Sequence, residues 1–300
     1  MKNYIYLFII TTLVLVNISC DKIEHPVVEH TNELDWSLFP GGDSSTYAWP
    51  TWTENTYNQQ NVLLEDYTGH TCTNCPAAAV IAKGLEDANP NRVFVASIHA
   101  SVGNSFQAVS PPEFTQDFTT EAGDTYVNSI PSFFGNPTGT INRKDGGIAN
   151  TIWYASSNWA GAVNTTLNET PNAKIQQQYN YFPQTRGLFV HTESVLNTLN
   201  NNNEYAMVIY LVREVVVAPQ KLANGTVEEF YHHHNVLTDN LNGTWGITLE
   251  NTTDKQYHNL AIQLPDNSSD TTYNINNLSL ISYIYNKTNY KVEQVIKTEL

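Results

Sequence analysis

The feature that most constrains this chain is the run Val62-Leu63-Leu64-Glu65-Asp66-Tyr67-Thr68-Gly69-His70-Thr71-Cys72-Thr73-Asn74-Cys75-Pro76-Ala77-Ala78. A short apolar segment ends in a turn, two cysteines follow at C-x-x-C spacing, and an alanine-rich stretch begins at once. Residues 62–67 read as a buried strand and 93–99 as a second one. Residues 76–85 read as a helix, with Pro76 in the first turn, where its missing N–H costs little. Strand, dithiol, helix, strand is the order in which C-x-x-C reads as a redox motif. A bridge over so short a loop gains only about 2 kcal/mol in the chain-entropy model, so the pair is a poor staple. Spacing this tight serves exchange or metal. Structural zinc needs two further ligands, usually a second Cys/His pair, and no second C-x-x-C exists. A cysteine at a helix N-terminus is favoured as thiolate. Cys72 is therefore expected to be the exposed attacking sulfur and Cys75 the shielded resolving one.

The N-terminus sets the compartment. Lys2 precedes an apolar run from Tyr4 to Val16, and Ser19-Cys20 follows shortly after. The run is too short to cross a hydrocarbon core of ~30 Å and has the shape of a signal peptide. It resembles a bacterial lipoprotein signal, with Cys20 lipidated, although Asn17 and Ile18 depart from the usual pattern. The expectation is a signal peptide over 1–19 and a lipidated tether over 20–53. Pro40-Gly41-Gly42-Asp43-Ser44-Ser45 is turn-forming, and Trp49 and Trp52 are expected to dock on the domain that follows. Net charge is −15, and the 14 Lys and Arg form no run. That balance sets aside nucleic-acid binding and a polybasic membrane patch. Asparagine, 36 residues, supplies much of the polar surface instead.

Residues 54–171 resemble the thioredoxin superfamily. Asp66 stands six residues before Cys72, where that family keeps a buried acid that exchanges protons with the resolving thiol. Ile130-Pro131-Ser132-Phe133-Phe134 resembles the loop in which a cis-proline faces the dithiol and holds substrate. Thr140-Ile141-Asn142-Arg143 resembles the next strand, and Thr151 to Asn168 the closing helix. Thr71 replaces the usual tryptophan, and 100–128 is a longer, more polar connection than the family minimum. After residue 172 the pattern changes. About seven apolar or alternating runs, between 174–182 and 290–297, are separated by asparagine-rich turns, which points to an antiparallel β-sandwich over 172–300. The expected fold class is thus α/β plus all-β, a thioredoxin-like domain followed by a β-sandwich.

The dithiol segment, together with Val217-Ala218-Pro219-Gln220-Lys221, His234-Asn235-Val236-Leu237 and Leu241-Asn242-Gly243-Thr244-Trp245-Gly246, resembles the outer membrane protein 28 family. The resemblance implies a lipid-anchored outer-membrane protein of Bacteroidetes-type envelopes, on the periplasmic face or the cell surface. It implies no fixed reaction. Two functions remain. In one, the dithiol exchanges disulfides with cysteine-containing envelope proteins, with Cys72, Cys75 and Asp66 catalytic and Ile130 and Pro131 holding the peptide. In the other, the fold is a scaffold for adhesion or ligand binding. Neither requires a cofactor or metal. His232-His233-His234 offers metal ligands, but adjacent strand residues point to opposite faces, so at most two converge, and the triplet reads as a surface or interface cluster.

Overall fold

The structure, a computed structural model, describes residues 34–200, 203–268 and 270–300. The expected signal peptide and Cys20 lie outside the described residues. Strand β1 (Val62–Thr68), helix α1 (Cys75–Ala88) and strand β2 (Val93–His99) come first. β1 and β2 are parallel, with Leu64 opposite Val95 and Asp66 opposite Ser97. Helix α2 (Glu121–Ser129), strand β3 (Thr138–Ile141) and helix α3 (Trp159–Thr166) follow, and β3 adds antiparallel to the free edge of β1. The two-residue period of β1 sorts its side chains. Val62 and Leu64 pack with Ala78 and Ala82 of α1 and Trp159 and Val163 of α3. Leu63 and Tyr67 pack on the other face with Ala122, Tyr126 and Val127 of α2.

The rest of the chain is strand: β4 (Ala173–Phe182), β5 (Gly187–Leu196), β6 (Tyr205–Lys221), β7 (Val227–Asn240), β8 (Ile247–Thr248), β9 (Gln256–Gln263), β10 (Leu278–Asn286) and β11 (Val292–Glu299). β4, β5 and β9 make a three-stranded antiparallel sheet. The others extend the first sheet in the order β11-β10-β6-β7-β2-β1-β3, with the short β8 also on β6. Alternation along β6 serves both layers. Met207, Ile209 and Leu211 face the three-stranded sheet, and Val208, Tyr210 and Val212 join the core of β1, β2 and α2.

The fold is mixed α/β and mostly sheet. It differs from the expected pair of self-contained domains. Residues 172–300 do supply two sheet layers, but the larger layer is continuous with β2-β1-β3. The join is β7, which runs parallel to β2 with Ser97 opposite Val236. Sequence pattern hides β7, because Glu228-Glu229 and three consecutive histidines break its apolar alternation. Helix α2 was hidden inside the stretch expected as a connection.

A buried polar cluster fastens the two halves. Glu65 and Arg143 are fully buried and paired, at 2.8 and 2.6 Å. Thr140 Oγ1 and Tyr210 Oη also donate to the Glu65 carboxylate, and Tyr283 Oη donates to Tyr210 Oη at 2.9 Å. The Arg143 guanidinium lies 4.3 Å from the Tyr126 ring centroid, which adds a cation–π contact. Tyr210 and Tyr283 come from β6 and β10, so this network spans the sheet.

The segment expected as a tether is packed over residues 34–53. Leu34, Leu38 and Tyr47 bury against Phe189. Tyr47 Oη sits 2.6 Å from His191 Nε2, and the carbonyls of Thr51 and Thr53 accept from Gln178 and Gln176. Trp49 lies against His191 and Trp52 against Tyr257. The segment therefore straps the β4-β5-β9 sheet rather than the domain holding the dithiol. Six ring partners around Tyr47 explain why a composition rich in turn residues still orders. Among the described residues, no helix is long and apolar enough to cross a membrane.

Candidate functional site: the dithiol and the cavity behind it

Cys72 and Cys75 form a disulfide. It lies in the loop between the C-terminal end of β1 and the start of α1. Cys75, not Cys72, is the first residue of the helix, and the N-cap Asn74 makes no side-chain capping bond. Cys72 lies one turn earlier, and its carbonyl accepts from the Cys75 N–H. The expectation of an exposed Cys72 is corrected, since Cys72 is 3% exposed and Cys75 1%.

Two segments cover Cys72. On one side the Thr71 N–H donates to the Phe106 carbonyl, and Gln107 Nε2 donates to the Thr68 carbonyl at 2.6 Å. Gly69 permits this approach, because a Cβ there would meet the Phe106 carbonyl oxygen at 2.6 Å. On the other side lies the end of β6. Gln220, itself buried, donates from Nε2 to the Cys72 carbonyl at 3.1 Å, and the Lys221 N–H donates to the His70 carbonyl at 2.8 Å. The Val217–Lys221 motif, whose purpose sequence did not reveal, is thus the cover of the cysteine loop. Gln220 was the missed residue. The pairing of two distant motifs was the signal that could have found it.

Behind Cys75 is a cavity of about 490 Å³ between α1, the ends of β1 and β2, and the outer part of β7. Asp66, Cys75, Ser97, His99, Tyr231 and His233 line it; Cys72 does not. Asp66 is 1% exposed, and its Oδ1 has no hydrogen-bond partner. Burial alone pushes its carboxyl up to about 7. Neither ring nitrogen of the buried His99 has a partner. Burial first, then the neighbouring His233, His70 and Arg213, hold its pKa well below the usual imidazole value. His233 is pushed down to about 4, chiefly by burial. The His99 and His233 rings are 5.5 Å apart, and Phe118 stacks near both. His233 therefore corrects the surface expectation for the histidine triplet.

At neutral pH the His99 and His233 imidazoles are uncharged, and Asp66 is near the midpoint of its titration. A carboxyl poised there can give or take a proton from a sulfur that opens on the same space. No cluster of three or more His, Cys, Asp or Glu among the described residues is arranged to hold a metal ion.

Ile130 and Pro131 are not part of this site. Ile130 caps α2, its N–H bonding the Tyr126 carbonyl, and its side chain is buried in the core on the far face of the sheet. The Pro131 carbonyl accepts from Trp153 Nε1. The helix stops there and turns its hydrophobic end inward. Pro131 is not among the cis prolines of the described residues, whose cis bonds are Pro111-Pro112 and Asn136-Pro137. Asn136 Nδ2 reaches the carbonyls of Ala100 at 3.0 Å and Thr68 at 3.4 Å, which brings residues 136–137 to the end of the sheet where the dithiol lies.

Comparison with known proteins supports the fold and the family. The chain is similar to the solved structure described as HBP35 of Porphyromonas gingivalis, at 17% identity and a TM-score of 0.58, over 82% of this chain and 77% of that one. It also matches a domain of the outer membrane lipoprotein Omp28 from Porphyromonas gingivalis, at 16% identity and a TM-score of 0.30, over 43% of this chain and 88% of that one. No curated protein sequence matches it. Residues 124–300, more than half of the chain, match the family described as outer membrane protein Omp28, and the chain belongs to that family.

Proposed function

We propose that this protein is an outer-membrane lipoprotein, anchored through lipid on Cys20, whose Cys72–Cys75 pair exchanges disulfides with cysteine-containing partners in the envelope. Residues 54–171 then act as a thioredoxin-like unit: parallel β1 and β2 joined by α1, antiparallel β3, and α3 behind. The observation that carries this is Asp66. A buried carboxyl without a partner is costly to a fold, and here it faces the same cavity as Cys75. A structural disulfide has no use for it, whereas a dithiol that must gain and lose protons does.

The test is redox titration of the folded, soluble chain in thiol–disulfide buffers, with the state of Cys72 and Cys75 read by alkylation. A reversible two-electron couple, with slower cycling in Asp66→Asn, is the expected result. A disulfide that resists reduction until the chain unfolds would refute exchange and mark the pair as structural. The anchor is tested separately. Cys20→Ala should release the protein from the membrane fraction, and retention there would defeat the lipoprotein assignment.

A further inference from the structure

We propose that the cavity behind the dithiol admits a low-molecular-weight thiol, and that this thiol meets the disulfide at Cys75 rather than at Cys72. The inference rests on the exchange function above and names its reductant and its point of entry. Three observations carry it. Cys72 is closed off by the Phe106–Gln107 loop on one side and Gln220 and Lys221 on the other. A protein substrate cannot lay its backbone along Cys72 while those bonds stand. Of the two cysteines only Cys75 lines the cavity, which at about 490 Å³ is within the range that holds small ligands. The cavity also carries unpartnered polar atoms, Asp66 Oδ1, both nitrogens of His99 and Nε2 of His233, all on side chains at least nine-tenths buried. Buried polar atoms are normally satisfied. A small, largely neutral solute with hydrogen-bonding groups beside its sulfur would satisfy them. An apolar one would not, and the charged side chains that line the cavity, Lys83 and Asp87, are already paired with each other, so a highly charged one finds no free counter-ion there.

The exchange balances as follows. The small thiol gives its proton to ionised Asp66, and its sulfur attacks the Cys75 sulfur. The Cys72–Cys75 bond breaks, its electron pair leaving on Cys72, which takes a proton from solvent. A second small thiol then attacks the small-molecule sulfur of the mixed disulfide and sheds its proton to solvent. A small symmetrical disulfide departs, and Cys75 leaves as thiolate and takes the proton held by Asp66. Two thiols are oxidised, one protein disulfide is reduced, and the two protons they shed are replaced on the two protein sulfurs.

Single-thiol variants separate the routes. In a Cys20→Ser background, Cys72→Ala leaves only Cys75 and Cys75→Ala leaves only Cys72. Each is mixed with bis(2-hydroxyethyl) disulfide, a small neutral probe, and adduct formation is followed by mass spectrometry. Cys75 is expected to react at least about tenfold faster than Cys72, since access as well as thiolate character sets exchange rates. Gly84 lines the cavity mouth, and a Cβ there meets nothing within 4 Å. Gly84→Trp on the exposed helix surface should therefore keep the fold, checked by circular dichroism, while slowing the Cys75 reaction by about the same factor. Faster reaction at Cys72, or a Cys75 rate untouched by Gly84→Trp in folded protein, would overturn the proposal. The wild-type redox titration separates the two failures. If the couple is reversible but reaction runs through Cys72, exchange stands and the cavity route falls. If the folded wild type never exchanges, both fall.

Discussion

Glu65 and Asp66 are consecutive residues of β1, both essentially buried, on opposite faces of one sheet. Their surroundings could hardly differ more. Glu65 receives hydrogen bonds from Thr140, Tyr210 and two nitrogens of Arg143. Burial opposes its charge, but the Arg143 charge and these donors outweigh burial and lower its pKa. Asp66 has burial alone, and its pKa rises to about 7. One carboxyl is held permanently ionised to fasten the halves together. The other is left hungry for a proton next to a sulfur. Saturation marks architecture, and its lack marks chemistry.

The largest effect should come from breaking the saturated side. Arg143→Ala leaves a buried, uncompensated Glu65 and should cost about 5 kcal/mol, the upper end for a broken buried pair. Urea unfolding would read it, and a loss under about 1 kcal/mol would show that the cluster does not fasten the halves.

The next effect sharpens the contrast through pH. Asp66 holds its proton more tightly folded than unfolded, so its contribution favours the fold most below the ordinary carboxyl value of 3.8 and is lost as pH rises through about 7. Glu65 has the opposite sign, its contribution present above 4.5 and lost as pH falls through its lowered folded value. The stability gap between Asp66→Asn and wild type should therefore move by about 4 kcal/mol between pH 4 and pH 8, in favour of the variant at high pH. A gap independent of pH would mean that Asp66 stays ionised in the fold.

Tyr210→Phe removes one donor from Glu65 and should cost about 1–3 kcal/mol, again by urea unfolding, with the Cys72–Cys75 couple unchanged. A shifted couple would mean that the two faces of β1 are not independent. The smallest stability effect belongs to Gln220→Ala, about 1 kcal/mol. Its clearer signature should be faster alkylation of a reduced Cys72, because the cover loses its bond to the cysteine loop. Unchanged alkylation would place the shielding on the Phe106–Gln107 side.

The dithiol, Asp66, the flanking strands and most late strands were legible, because each depends on local pattern: a spacing, an apolar run, a turn. What sequence did not show is what happens between distant segments. β7 carries charge and histidine because its outer part pairs with β6 but runs beyond β2, so its pattern does not read as strand, yet it joins the sheet. The Trp36–Trp52 stretch has no period because it packs by aromatic side chains on a sheet made 133 to 144 residues later. His99 and His233 are far apart in sequence and meet only because β2 and β7 are neighbours. The Ile130-Pro131 segment reads as a loop from its own residues, which do not tell where the helix before it ends.

Gln220 follows Cys72 by 148 residues, and that separation has a meaning in time. A chain emerging from its N-terminus presents both sulfurs long before β6 exists to cover them. The Asn61 amide beside β1 waits still longer, for Gln294 near the C-terminus. Contacts this remote close late, after the loop between them has been drawn in. In that interval an oxidant or reductant meets both sulfurs directly; once β6 arrives Cys72 lies under its cover, and only Cys75 still opens on the cavity.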